Sequence, residues 1–191
     1  MRTAILLLWS AVLLAVAVAA DPQPVAARST APPAAAPAAA VPGDPRPRAI
    51  SLPSIDAESS LIPLGLNPDG SAEVPPIDQP GQAGWFRLGP GAGEVGPFVV
   101  LGHVDSYREA GVFYRLRDLR PGDPVEVDRA DGSRVTYVVD RVQMAAKDRF
   151  PTEAVYGDVA RPEIRMITCG GAFDESRRSY ADNLIVYGHL R

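Results

Sequence analysis

One cysteine, Cys169, and two histidines, His103 and His189, are all the thiol and imidazole in this 191-residue chain. A single thiol excludes an intramolecular disulfide, and three soft ligands are too few for the Cys/His clusters of structural zinc sites. Lysine is scarcer still: the one residue, Lys147, lies in no Walker motif, and no glycine-rich turn opens onto a long amphipathic helix as a dinucleotide-binding fold requires. Basic stripes are missing too. Four of the 19 Lys/Arg and two of the 23 Asp/Glu precede residue 49, so residues 49–191 carry 15 and 21 and a net charge of −6, against −4 for the whole chain. A surface of that sign does not neutralise phosphates, which excludes nucleic acid as a partner. No loop shows the regularly spaced oxygen ligands of a dedicated calcium site. Neither a metal nor any other cofactor is expected.

What is present is divided by region. Ala4 to Ala20 is almost wholly apolar, preceded by one charge, Arg2, and ending near the small-x-small string Ala17-Val18-Ala19. Residues 1–20 therefore read as a signal peptide or an N-terminal membrane anchor, and either outcome places the downstream domain outside the cytoplasmic membrane. Residues 21–48 are mostly Ala and Pro, centred on Pro32-Pro33-Ala-Ala-Ala-Pro37. Proline blocks continuous helix and favours extended geometry of about 3.1 Å per residue, so this stretch reads as a semi-rigid linker. Residues 49–191 suit one domain.

Within that domain the apolar runs are short and β-rich: Pro97–Leu101, Pro124–Val127, Arg134–Val139, Ile164–Thr168 and Leu184–Tyr187. Asp131-Gly132 between two of them signals a hairpin, while Pro121-Gly122-Asp123 and Asn67-Pro68-Asp69-Gly70 mark other turns. Gly111–Leu116 has room for a short helical turn, and Trp85 reads as a core anchor. Many short strands need paired edges. The expected fold is all-β, a closed or nearly closed barrel with short helices.

Cys169 ends one of these runs and is followed by Gly170-Gly171, which leaves room for another backbone to approach the thiol. His103 ends another, in Val99-Val-Leu-Gly-His103-Val-Asp105. If the two strand ends meet, His103 serves as acid or base to a thiol that is otherwise only a few per cent thiolate at neutral pH. His189, two residues from the end of the sequence, ranks below it because fraying is expected there. An anionic intermediate needs donors. Backbone N–H groups of Gly170 and Gly171 are candidates, with Arg177 and Arg178 in the loop after the cysteine. Arg165 shares the Cys169 face by strand alternation but starts roughly 13 Å back, and reads better as a salt bridge or groove wall.

The strings Gly102-His103-Val104-Asp105, Val112-Phe-Tyr-Arg-Leu116, Lys147-Asp-Arg-Phe-Pro-Thr152, Arg165-Met-Ile-Thr-Cys169-Gly-Gly-Ala-Phe-Asp174 and Tyr180-Ala-Asp-Asn183 resemble those of class F sortases. Upstream strings Pro63–Leu66, Glu73–Pro76, Pro80-Gly81 and Ala83–Trp85 extend the resemblance over nearly the whole domain. It implies a sortase-type barrel of about eight strands and a cysteine transpeptidase of high-GC Gram-positive bacteria. Such an enzyme cleaves a Leu-Pro-x-Thr-Gly-type sorting signal on surface proteins and passes the fragment to an amine of a peptidoglycan precursor or pilin. Carried over, Cys169 forms the thioester and His103 moves the protons. The transition-state arginine is expected between the Tyr and Asp of the Tyr-x-Asp-Asn string, where this chain has Ala181. Arg178 is the substitute, with Arg177 behind it. Three other readings stay open: a cysteine endopeptidase with water as acceptor, a non-catalytic barrel that binds wall peptides, and a dimer linked through Cys169.

Overall fold

The computed structural model describes residues 44–191. The expected leader, residues 1–20, and most of the expected linker, residues 21–48, lie outside the described residues. Among the described residues, no helix is long and apolar enough to cross a membrane.

Eight strands build the fold: β1 (Pro47–Leu52), β2 (Ala57–Leu64), β3 (Ala83–Phe86), β4 (Gly96–Gly102), β5 (Pro124–Arg129), β6 (Arg134–Ala146), β7 (Pro162–Asp174) and β8 (Ser179–Leu190). They close into a barrel in the order β1-β2-β3-β4-β7-β8-β6-β5, with β5 returning to β1. Closure is how an all-β chain of short strands satisfies its edges, as expected from the sequence. Helix is confined to α1 (Thr152–Tyr156) and to 3-10 turns at Pro53–Ile55, Leu116–Asp118 and Lys147–Arg149.

Every β-rich run of the sequence falls inside a strand, and Asp131-Gly132 turns β5 into β6 with Gly132 at φ 85°. Strands β1, β2 and β3 have no comparable run. Proline and serine interrupt Pro47–Leu52 and Ala57–Leu64, and these segments become strands because β5 and β3 offer ladders to them. Trp85 is half-buried against the core, its ring 6.4 Å from that of Phe98.

Strands β4 and β7 are parallel neighbours at the centre of the wall. A parallel pair is covered on both faces, which explains why their apolar runs do not alternate with polar residues. Phe98, Val100, Ile164 and Met166 face the barrel interior with Tyr137 and Val186. Val99, Leu101 and Ile167 face outward, where Val155 of α1, Leu64, Ile185 and Tyr187 cover them. Each fully buried aliphatic side chain of this kind contributes about 1.5–3 kcal/mol. The residues that carry chemistry sit where this doubly covered pair runs out.

Candidate active site

The β4–β7 register keeps one offset along its whole length, from Gly96 opposite Pro162 to Leu101 opposite Ile167. The same offset separates His103 from Cys169, two residues past the last pair and just beyond the end of β4. Strand alternation assigns both positions to the face that carries Leu101 and Ile167. Both line a cavity of about 530 Å³ together with Ile77, Asp105, Tyr107, Phe173, Arg178 and Tyr180. Cys169 is a free thiol, half-buried, and stands opposite Asn183 in the β7–β8 ladder.

Backbone packing fixes His103. A side chain on Gly102 would meet Phe113 and Val112 at 2.6–2.7 Å, so glycine is what lets the segment after the strand lie close. The His103 carbonyl accepts from Phe113 N at 3.0 Å, and Val104 O accepts from Gly111 N at 2.9 Å. On the ring, Nε2 lies 2.7 Å from the carbonyl oxygen of Pro75. A carbonyl only accepts, so Nε2 carries the proton and a neutral ring has its lone pair on Nδ1.

Arg178 lines the same cavity in the left-handed conformation, φ 49°, with its guanidinium carbon 4.9 Å from the Tyr107 ring centroid. Arg177 does not line it; its exposed side chain approaches Asp174 at 3.7 Å. Arg165 does not either. Its guanidinium donates to Ala154 O, Ile164 O and Glu163 Oε2 at 2.6–3.1 Å and lies over the Tyr187 ring, so the salt-bridge reading matches its contacts. His189 stands in the paired part of β8, not in a frayed end, with Nδ1 2.7 Å from Asp140. It sits at the end of β8 remote from Tyr180, outside the cavity.

Gly170 pairs with Asp182, and a β-bulge follows before Phe173. Gly171 lies in that bulge at φ 77°, where a side chain would strike Asp182. The sequence singled out none of Pro75, Tyr107 and Phe173, and pointed to no role for Asp105 or Tyr180. Yet the Tyr180 hydroxyl donates to Asp105 Oδ2, a hydrogen bond spanning 75 positions of the chain. That bond is the main reason the phenol is pushed up to about 12; burial, the Asp105 charge and the nearby Cys169 sulfur add to it. Phe173 packs edge-on to the same ring at 5.1 Å.

A closed barrel that gathers a cysteine and a histidine from the ends of adjacent strands into one cavity has the architecture of a thiol acyltransferase. The family model for the sortase domain matches residues 50–191, and the chain belongs to the sortase family. Members of that family are cysteine transpeptidases, and so is this chain. Among solved structures, the chain is similar to the lid mutant of sortase A from Corynebacterium diphtheriae, with a TM-score of 0.60 and 21% identity over 78% of this chain and 71% of that one. It is similar to sortase C-1 from Actinomyces oris, with a TM-score of 0.59 and 20% identity over 78% and 75%. A sortase D5 transpeptidase from Clostridium perfringens gives 0.55 and 18% over 79% and 82%. At these identities the likeness is one of fold. A comparison with curated proteins found no match.

Proposed function

We propose that this chain is a class F sortase whose acyl-enzyme forms on Cys169. The Cys169 thiol gives its proton to His103 and its sulfur attacks the Thr carbonyl carbon of a Leu-Pro-x-Thr-Gly-type signal; the C–S bond forms and the Thr–Gly C–N bond breaks as His103 passes that proton to the departing amine. An amine of a peptidoglycan precursor or pilin then gives a proton to His103 as its nitrogen bonds the acyl carbon and the C–S bond breaks, and His103 returns that proton to the sulfur, restoring the thiol. Arg178 is the candidate donor to the oxyanion in both steps. The substrates are surface proteins bearing the signal, and the domain works at the outer face of the membrane, held by residues 1–20 or released if these are cleaved.

The observation that supports this reading is that His103 and Cys169, two residues past the last pair of the β4–β7 ladder, line one cavity. Strings from Gly102 to Asp105 and from Arg165 to Asp174 support the class. The test is to incubate the protein with a Leu-Pro-Glu-Thr-Gly peptide, with and without triglycine, and track products and Cys169 adduct by intact mass. Cleavage between Thr and Gly with amine-dependent ligation, lost in Cys169→Ala, is the expected result. Cleavage indifferent to the amine would assign water as the acceptor; no cleavage of several signal variants and no adduct would overturn the reading.

A further inference from the structure

The parallel ladder between β4 and β7 stops at Leu101 and Ile167, two residues short of His103 and Cys169. Beyond a ladder's last bond nothing in the backbone prevents twisted strands from splaying apart. Here the two ends are the parts that must keep a fixed separation, since a misplacement of about 1 Å at a reacting pair can cost about 100-fold in rate. The contacts across the gap are specific. Residues 103–111 form an arm braced on itself, with Asp105 bridged to Ala110, Ser106 N donating to Glu109 O at 2.8 Å and Gly111 N donating to Val104 O. Between this arm and the β7–β8 hairpin, the bond from Tyr180 to Asp105 is the single hydrogen bond among the described residues. Tyr180 is itself tied to the cysteine strand, opposite Phe173 in the ladder. The Tyr107 ring against Arg178 adds a second, solvent-facing contact, Tyr107 being 76% exposed.

We propose that Asp105 and Tyr180 are positioning residues: their hydrogen bond clamps the histidine arm to the cysteine hairpin and so holds His103 beside Cys169. Neither forms or breaks a bond in the reaction. The proposal rests on the pairing of His103 with Cys169 and on no particular peptide substrate.

The test needs no peptide. Alkylation of Cys169 by iodoacetamide is measured by intact mass on the full-length chain between pH 5 and 9, because a thiol held beside an imidazole reacts faster at neutral pH than an isolated one, which is mostly protonated until it ionises near 8.5. His103→Ala sets the unpaired reference. Tyr180→Phe and Asp105→Ala are expected to slow the reaction at pH 7 about tenfold, towards that reference, and the double variant no further, as for two ends of one bond. Asp105→Asn keeps an acceptor for the tyrosine hydroxyl and is expected to stay within about twofold of the parent. Thermal melting accompanies each variant; if Tyr180→Phe fails to fold, the contrast between Asp105→Ala and Asp105→Asn decides. Slow alkylation in His103→Ala with parental rates in Tyr180→Phe and Asp105→Ala overturns the clamp alone. Equal slowing in Asp105→Asn and Asp105→Ala also overturns it. A parental rate in His103→Ala itself overturns the pairing, and the clamp with it.

Discussion

At its Arg165 end the β7–β8 ladder is closed by its own polar groups, whereas at its Cys169 end the same ladder opens into a cavity. Ile164 to Thr168 are all buried, and Arg165, 3% exposed, has its guanidinium engaged by two carbonyls, a carboxylate and an aromatic face. Four residues on, the thiol is half-buried, the strand bulges, and Arg178 meets only the face of an exposed tyrosine; none of the ion pairs among the described residues includes it. The comparison separates two uses of arginine on one hairpin. A buried guanidinium must spend its donors on the protein, because an unpaired buried charge is costly. One at an open rim keeps them for a ligand.

The largest effects expected are at the open end. Cys169→Ala should remove both adduct and turnover, and His103→Ala should lower turnover about 10²- to 10⁴-fold, with melting temperatures near the parent's because neither side chain belongs to the core. Next comes the closed end: Arg165→Met removes the bonds to Ala154 O, Ile164 O and Glu163, leaves the Glu163 carboxylate with Arg161 alone, and should cost about 1–3 kcal/mol in denaturant unfolding, while turnover per folded molecule stays near normal. Arg178→Ala should do the reverse, lowering kcat about 10²- to 10³-fold with little change in melting. If Arg178→Ala melts early, or Arg165→Met kills turnover in folded protein, the division between the two ends is wrong.

A smaller effect lies in pH. Burial pushes the Glu163 carboxyl up, but hydrogen bonds from Arg161 and Arg165 outweigh this and hold it below its ordinary 4.5. A carboxylate depressed in the folded state contributes stability that is complete above the unfolded value and is lost as pH falls through the folded one. Melting temperature should therefore drop as pH goes below about 4.5, and Glu163→Gln should flatten that limb without altering the pH dependence of Cys169 alkylation.

Cys169 and His103 were legible because each ends an apolar run before or after glycine, a local pattern. Their meeting was not. It depends on a parallel register between strands whose partners are 66 positions apart, and no local rule of pairing reaches that far. Asp105 and Tyr180 stayed without roles for the same reason, since nothing near either residue hints at a bond spanning 75 positions. Strand alternation placed Arg165 on the correct face, and its distance from the thiol foretold contacts elsewhere. Strands β1 and β2 were missed because proline and serine weaken their propensity, and β3 because it is only four residues long and contains Gly84; tertiary pairing overrides both. The departure at Ala181 was visible in the sequence, but only the fold brings the Arg178 side chain to the cavity wall.

The parallel pairing of β4 with β7 also sets when this enzyme becomes reactive. Two strands that run the same way cannot form a hairpin; the chain between them must first lay down β5 and β6, and such non-local pairs are among the slow steps of folding. Until β7 docks, Cys169 and His103 do not share a cavity. On the proposed mechanism, activation of the nucleophile is thus timed by the completion of the barrel, and an unfinished chain carries no armed cysteine.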